Sequence, residues 1–323
     1  MGNKAKSNLA IKIILLAATF VIIQLLIFLD VINDYLQATM ATICINIILA
    51  VSLNLITGFT GQFSLGHAGF MSIGAYTCAL ITLRNPTLPG FIIGVFAGAV
   101  MAALIGGIVG LPTLRLRGDY LAIATLGMSE IIRIVFLNLD SITNGAAGLQ
   151  DIPQFTNWIW LFIFTTGTVL VISNFIKSSH GRACISVRED EIAAEAMGIN
   201  STRYKVIAFI IGSFFAGIAG ALYASTFNFI DPKIFGFSKS IDVLVVVVLG
   251  GLGSISGSII AAVLLGIITT YLQAFANIQM ILYSVLLIII MIFRPQGLMG
   301  SKEVSLSIFS KLGSIIKPKK GRA

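Results

Sequence analysis

The strongest limit on what this chain can fold into is a succession of long apolar runs almost free of charge. They fall at Leu9–Leu29, Leu36–Ile56, His67–Leu83, Phe91–Leu111, Tyr120–Leu137, Trp158–Ile176, Val206–Phe227, Ile241–Leu249, Ile255–Leu272 and Ile278–Phe293. A helical run of about 20 residues crosses the roughly 30 Å hydrocarbon core of a bilayer, and most of these runs approach that length. In lipid, backbone polar groups are satisfied only within helices or closed barrels. Barrel strands alternate apolar and polar residues, whereas these runs are continuous. The expected fold is all-α: a polytopic integral membrane protein with about 8–10 transmembrane helices, short or broken segments included. Ile241–Leu249 is too short to span alone, and His67–Leu83 and Ile278–Phe293 are marginal. Charged residues make up only 11% of the chain, against about 25% in a soluble domain, so most of the outer surface has to face lipid.

Arginine and lysine bias orients such a chain. With a cytoplasmic N-terminus and all ten runs crossing, 17 of the 21 basic residues fall on the cytoplasmic side. Arg84, Lys233 and Lys239 fall outside, and Arg133 lies within a run. Both termini are therefore expected in the cytoplasm. The count requires Ile241–Leu249 to cross or nearly cross before the chain reverses at Gly250–Gly257, which implies a broken helix there. Lys4 and Lys6 ahead of an apolar stretch look like a signal peptide. That stretch, however, exceeds the roughly 7–15 residues of an h-region and no small-residue cleavage site follows, so it reads as a retained first span. Residues 1–300 read as one transmembrane domain with residues 177–205 as its largest cytoplasmic loop. Residues 301–323 read as a basic, disordered tail lying along the lipid surface. The net charge of +8 does not point to nucleic acid, because the cations sit at segment ends rather than on one face. Cys44, Cys78 and Cys184 have no metal-ligand spacing and read as structural.

Three polar features stand out. In the loop at 177–205, Ser186 and Glu189 match a capping box, and Glu189, Asp190 and Glu191 suit a helix N-terminus. Ile192, Ala193, Ala196 and Met197 then share one face, and Gly198 supplies a stop. The pattern predicts an amphipathic helix of about three turns over Glu189–Gly198, suited to docking a soluble partner. Second, the glycine- and polar-rich stretch 57–69 interrupts two apolar runs, and Gly250–Gly257 is its counterpart. Irregular backbone at membrane depth is either buried or lines a water-filled cavity; close helix packing and a solute path both fit. On the path reading the candidates are Asn54, Gln62, Ser64 and His67. Third, Glu130 and Arg133 lie three residues apart on one helix and can pair, which lowers the cost of burying either. Glu130 is the one acid well inside a run, which disfavours ion-coupled transport. The chain contains no Gly-Lys dipeptide, so no phosphate-binding loop is possible, and no nucleophile, base and orienter cluster. No catalytic residue is expected.

The stretches Ser52–Gly58, Gly61–Gly69, Leu114–Gly127, Asn144–Gly148, Gly181-Arg182, Arg188–Ile199, Gly250–Gly257 and Arg294–Leu298 together resemble the permease subunits of bacterial branched-chain amino-acid ABC importers. The likeness is to the larger, M-type (LivM-like) permeases and covers most of residues 45–298. It departs at Asn144-Gly145, where many relatives have a Gly-Gly pair. The resemblance implies an importer of leucine, isoleucine or valine in the bacterial cytoplasmic membrane. The implied partners are a second, H-type permease or a second copy, two cytoplasmic ATPases carrying ATP and magnesium, and an extracytoplasmic binding protein, with no cofactor in this chain. It further implies that Glu189–Gly198 is the ATPase-coupling segment, with Glu191, Ala194 and Gly198 matching its acidic–alanine–glycine pattern and Glu189 and Met197 beside them. Related permeases serve urea and short amides. A self-sufficient channel or ion-coupled carrier is the reading from a different class.

Overall fold

In this computed structural model the described residues are 17–29, 32–272 and 297–300, with 284, 285, 288 and 292. The run Ile278–Phe293 lies outside them but for those four positions, as do the basic residues before 17 and the tail at 301–323. The described chain is helical, and its one β feature is an isolated bridge between Leu149 and Ile230. The helices are α1 (Ala17–Phe28), α2 (Asp34–Asn54, continued by a π turn, Leu55–Phe59), α3 (His67–Arg84) and α4 (Leu88–Thr113). They continue as α5 (Asp119–Asn138), a single turn α6 (Asp140–Thr143), α7 (Trp158–Lys177), α8 (Ser179–Glu189) and α9 (Glu191–Ala196). The last are α10 (Ser201–Phe227), α11 (Phe237–Gly250) and α12 (Ile255–Leu272).

Six of these, α2 with its π turn, α4, α5, α7, α10 and α12, are long and apolar enough to cross a membrane. The α3 helix is long enough but carries His67, Ser72, Tyr76 and Thr82, all buried. A helix enclosed by its neighbours does not need a lipid-compatible surface. Helix starts follow local chemistry. The Thr87 hydroxyl accepts the Gly90 N–H (3.2 Å) with Pro89 in the first turn of α4, and Asn200 accepts the Arg203 N–H (2.9 Å) at the start of α10.

The helices α3, α4 and α10 form the core, and they meet at small residues. A Cβ on Gly74 would lie 2.0 Å from the Gly217 carbonyl oxygen, and one on Gly220 would lie 1.9 Å from that of Met71. Gly98 faces Gly74, Gly106 faces Ser213 and Gly110 faces Phe209. Without a hydrophobic drive between helices in lipid, such backbone approach is what holds them together.

The topology gives the molecule two ends. Helices α2 and α7 both run from a polar cavity at their N-termini to the α8–α9 loop, and α10 runs back. The short α11 ends beside the end of α2, the chain reverses at Gly251–Ser254, and α12 returns until the Thr270 carbonyl accepts the Tyr35 hydroxyl. The broken helix expected at Gly250–Gly257 is thus present. The N–H groups of Leu298 and Met299 donate to the carbonyls of Leu249 and Gly250, which brings the chain beyond the last run back to the α8–α9 end.

Candidate functional site

The polar loop differs in detail from its sequence pattern. Instead of one helix over Glu189–Gly198, α8 ends at Glu189 and a separate six-residue α9 begins at Glu191. The expected capping box does not form: the Ser186 hydroxyl donates to the Ala183 carbonyl within α8. The cap is Asp190, whose Oδ1 accepts the N–H groups of Ile192 (2.9 Å) and Ala193 (3.0 Å). The C-terminal stop is as expected. Gly198 takes φ +83°, its N–H donates to the Glu195 carbonyl, and the Ile199 N–H donates to the Ala194 carbonyl. This is a Schellman closure, and it needs a residue free to adopt the left-handed region.

The expected apolar face is intact and points outward: Ile192 is 75% and Met197 82% exposed, and Ala193 and Ala196 are exposed beside them. Ala194, on the opposite side, is buried. The helix is braced from beneath. Glu191 accepts from Lys205 Nζ (2.6 Å) and lies 3.7 Å from Arg117, while Glu195 accepts the Ser201 hydroxyl. Burial alone would raise the Glu191 pKa, but the Lys205 hydrogen bond and charge, the Ser201 hydroxyl and the Arg117 charge outweigh it and hold the pKa below the ordinary value.

The two glycine-rich breaks meet. Asn54, fully buried, donates from Nδ2 to the Ser254 carbonyl (2.9 Å) and the Ser258 hydroxyl (2.8 Å), and its Oδ1 accepts the Gly253 N–H (2.9 Å). A Cβ on Gly58 would sit 1.8 Å from Asn54 Oδ1 and 2.4 Å from the Gly253 nitrogen. Arg188, the penultimate residue of α8, reaches into this joint: Nη1 donates to the Gly58 carbonyl at 2.8 Å, while Nε and Nη2 pair with Glu189. The sequence pattern assigns no such contact to Arg188, Ser254 or Ser258, and marks Asp190 only with its neighbours as an acid suited to a helix N-terminus.

The other candidates are buried too. His67 Nε2 lies 2.8 Å from the Ser52 hydroxyl, Gln62 Nε2 donates to the Lys205 carbonyl (3.1 Å), and Ser64 Oγ accepts the Gly66 N–H (3.4 Å). The Asn54 amide is therefore fully engaged, whereas Gln62 Oε1 and His67 Nδ1 are buried with no partner among the described residues. Arg133 Nε and Glu130 Oε2 pair at 2.7 Å, as the spacing predicts. Asn144 takes the left-handed conformation at φ +58° and donates to the Gly148 carbonyl (3.2 Å), which explains how it replaces a glycine there. At the opposite end from α9, a cavity of about 640 Å³ is lined by Gln24, Asp34, Gln37, Gln154, Asn157 and Trp158 among others.

A family model described as the branched-chain amino acid transport system / permease component matches residues 35–293. That span holds both breaks, the joint and the α8–α9 loop. The chain belongs to this permease family. Among relatives of the permease, the high-affinity branched-chain amino acid transport system permease protein LivM of Escherichia coli is 38% identical over 298 residues, covering 82% of this chain and 70% of that protein. The corresponding LivH of Escherichia coli is 27% identical over 288 residues, 80% of this chain and 92% of that protein. A probable LivM of Methanocaldococcus jannaschii is 25% identical over 320 residues, 80% of this chain and 91% of that protein. No solved structure matches the permease.

Proposed function

We propose that this permease is one membrane subunit of an ATP-driven importer that carries leucine, isoleucine and valine into the cell. On this reading it pairs with a second permease of the LivH kind, two cytoplasmic ATPases drive it, and a binding protein delivers the solute at the cavity end. The observation that carries the reading is α9: a capped, braced helix with Ile192 and Met197 turned outward, at the end of the molecule that also holds Arg115, Arg117, Lys177, Arg182, Arg203 and Lys205. That concentration of cations supports a cytoplasmic placement for α9. An exposed apolar pair on a rigid polar loop suits burial in a groove of a soluble partner.

The test is uptake of labelled leucine by vesicles holding the whole assembly, with isoleucine, valine and urea as competitors. Competition by the aliphatic amino acids and not by urea is expected, and competition by urea alone would move the substrate to the short amides. The Ile192→Asp change should release the ATPase during purification and abolish uptake. Uptake by vesicles holding this chain alone would overturn the ATP-driven reading in favour of a channel or ion-coupled carrier.

A further inference from the structure

We infer that Arg188 is the positioning residue through which displacement of the α8–α9 loop reaches the joint between the two helix breaks. The inference rests on α9 being the ATPase-facing segment. Gly58 lies in the π turn that ends α2, where the carbonyls are left without partners inside the helix and carry partial negative charge. The guanidinium supplies a charge-assisted donor to that carbonyl at 2.8 Å. The arginine lies in a slot that glycines keep open. A Cβ on Gly61 would come within 3.0 Å of its Cγ, and one on Gly253 within 2.8 Å of Nη1. Gly61 belongs to the first break and Gly253 to the second, so one side chain touches both.

Three successive residues then divide the task. Arg188 contacts the joint, Glu189 holds two nitrogens of the guanidinium, and Asp190 caps α9. Little slack separates the cap from the contact. The interior of the joint is closed by Asn54, and Gln62 ties the middle of the first break to the start of α10 through the Lys205 carbonyl. Lys205 itself holds Glu191 of α9. A pull on α9 therefore meets the breaks through more than one contact, of which Arg188 is the one that reaches both breaks at once.

The experiment uses the full assembly in vesicles and reads leucine uptake and ATP hydrolysis together, with the loaded binding protein present. Arg188→Gln should keep hydrolysis within about twofold while uptake per ATP falls by about tenfold, the scale of a residue on a coupling network. Arg188→Lys, which keeps the charge but loses the fork, should restore most of the ratio. An unchanged ratio in Arg188→Gln, or hydrolysis and uptake falling in equal proportion, overturns the inference. If Arg188→Gln fails to reach the membrane, the ratio is read in Arg188→Met, which keeps an apolar stem in the slot but loses the bond to Gly58; a ratio within about twofold of the unchanged protein overturns it there. Ile192→Asp run in parallel separates the two readings. Loss of the ATPase from Ile192→Asp with a normal ratio in Arg188→Gln defeats the arginine inference alone, whereas retention of the ATPase defeats the docking reading beneath it.

Discussion

Asn54→Ala removes the amide that closes the joint, and its cost can be worked group by group. The Gly253 N–H has Asn54 Oδ1 as its partner at 2.9 Å, so the truncation strands a buried donor, costing about 1–3 kcal/mol. The Ser254 carbonyl is better placed, because the Ser258 N–H (3.2 Å) and hydroxyl (3.1 Å) still donate to it. Losing the two bonds from Nδ2 therefore costs only their net worth, about 0.5–1.5 kcal/mol each. The sum is about 2–6 kcal/mol before any cavity term. Denaturant titration of the purified protein in detergent, followed by helical circular dichroism, reads this as a fall in midpoint at constant slope. Thr57→Val is the control. Its hydroxyl is buried in the same break with no partner among the described residues, so an isosteric apolar group should be neutral or stabilising. If Asn54→Ala shifts stability by less than about 0.5 kcal/mol yet lowers uptake, the amide acts on the solute and the joint assignment is wrong.

Gly58→Ala should leave no assembled protein in the membrane by immunoblot, since its Cβ would fall 1.8 Å from Asn54 Oδ1 with backbone on the other side; normal levels would show that the breaks do not meet. Burial pushes the Cys184 thiol up to about 11, against smaller lowering effects from Thr60 and the backbone, so a maleimide at neutral pH should label this cysteine only after denaturation in SDS. Glu191 has a lowered pKa, so its contribution to holding α9 is complete above the ordinary value of 4.5 and is lost as pH falls through the lower folded value. Limited proteolysis of the loop should show that acid limb in the unchanged protein and lack it in Glu191→Gln.

Much of the fold was legible because hydropathy reports lipid burial directly. The runs at Phe91–Leu111, Tyr120–Leu137, Trp158–Ile176 and Val206–Phe227 each lie inside an observed helix, and even the reversal after Ile241–Leu249 followed from charge placement. The α9 boundary was less legible. Ser186 and Glu189 carry the capping-box spacing, but α8 runs straight through them and Asp190 takes the cap. Two candidate caps four residues apart compete, and the winner is decided by tertiary contacts such as Lys205 to Glu191, which have no local signature. Composition marks the two breaks as counterparts but not as partners, and it leaves Asn54 a candidate for the path because its partners lie some two hundred residues away. Arg188 was invisible for the same reason. A lone cation beside an acidic run looks solvated until the fold brings Gly58 within 2.8 Å.

Asn54 and Arg188 act on one joint from opposite sides, and that placement has a measurable consequence. Asn54 Oδ1 binds the Gly253 N–H. Arg188 Nη1 binds the Gly58 carbonyl and passes beside Gly253. Each contact fixes the spacing of the two backbones for the other. Removing the amide lets Gly253 drift and with it the wall of the arginine slot; removing the guanidinium frees Gly58, which packs on the amide. The two changes should therefore be non-additive. Asn54→Ala with Arg188→Gln should destabilise the protein by less than the sum of the single changes, with a coupling of at least about 0.5 kcal/mol. Denaturant titrations of the four proteins of the cycle give that number. Additivity within about 0.3 kcal/mol would mean that arginine and amide hold separate structures, and that movement of α9 stops at the surface of the joint.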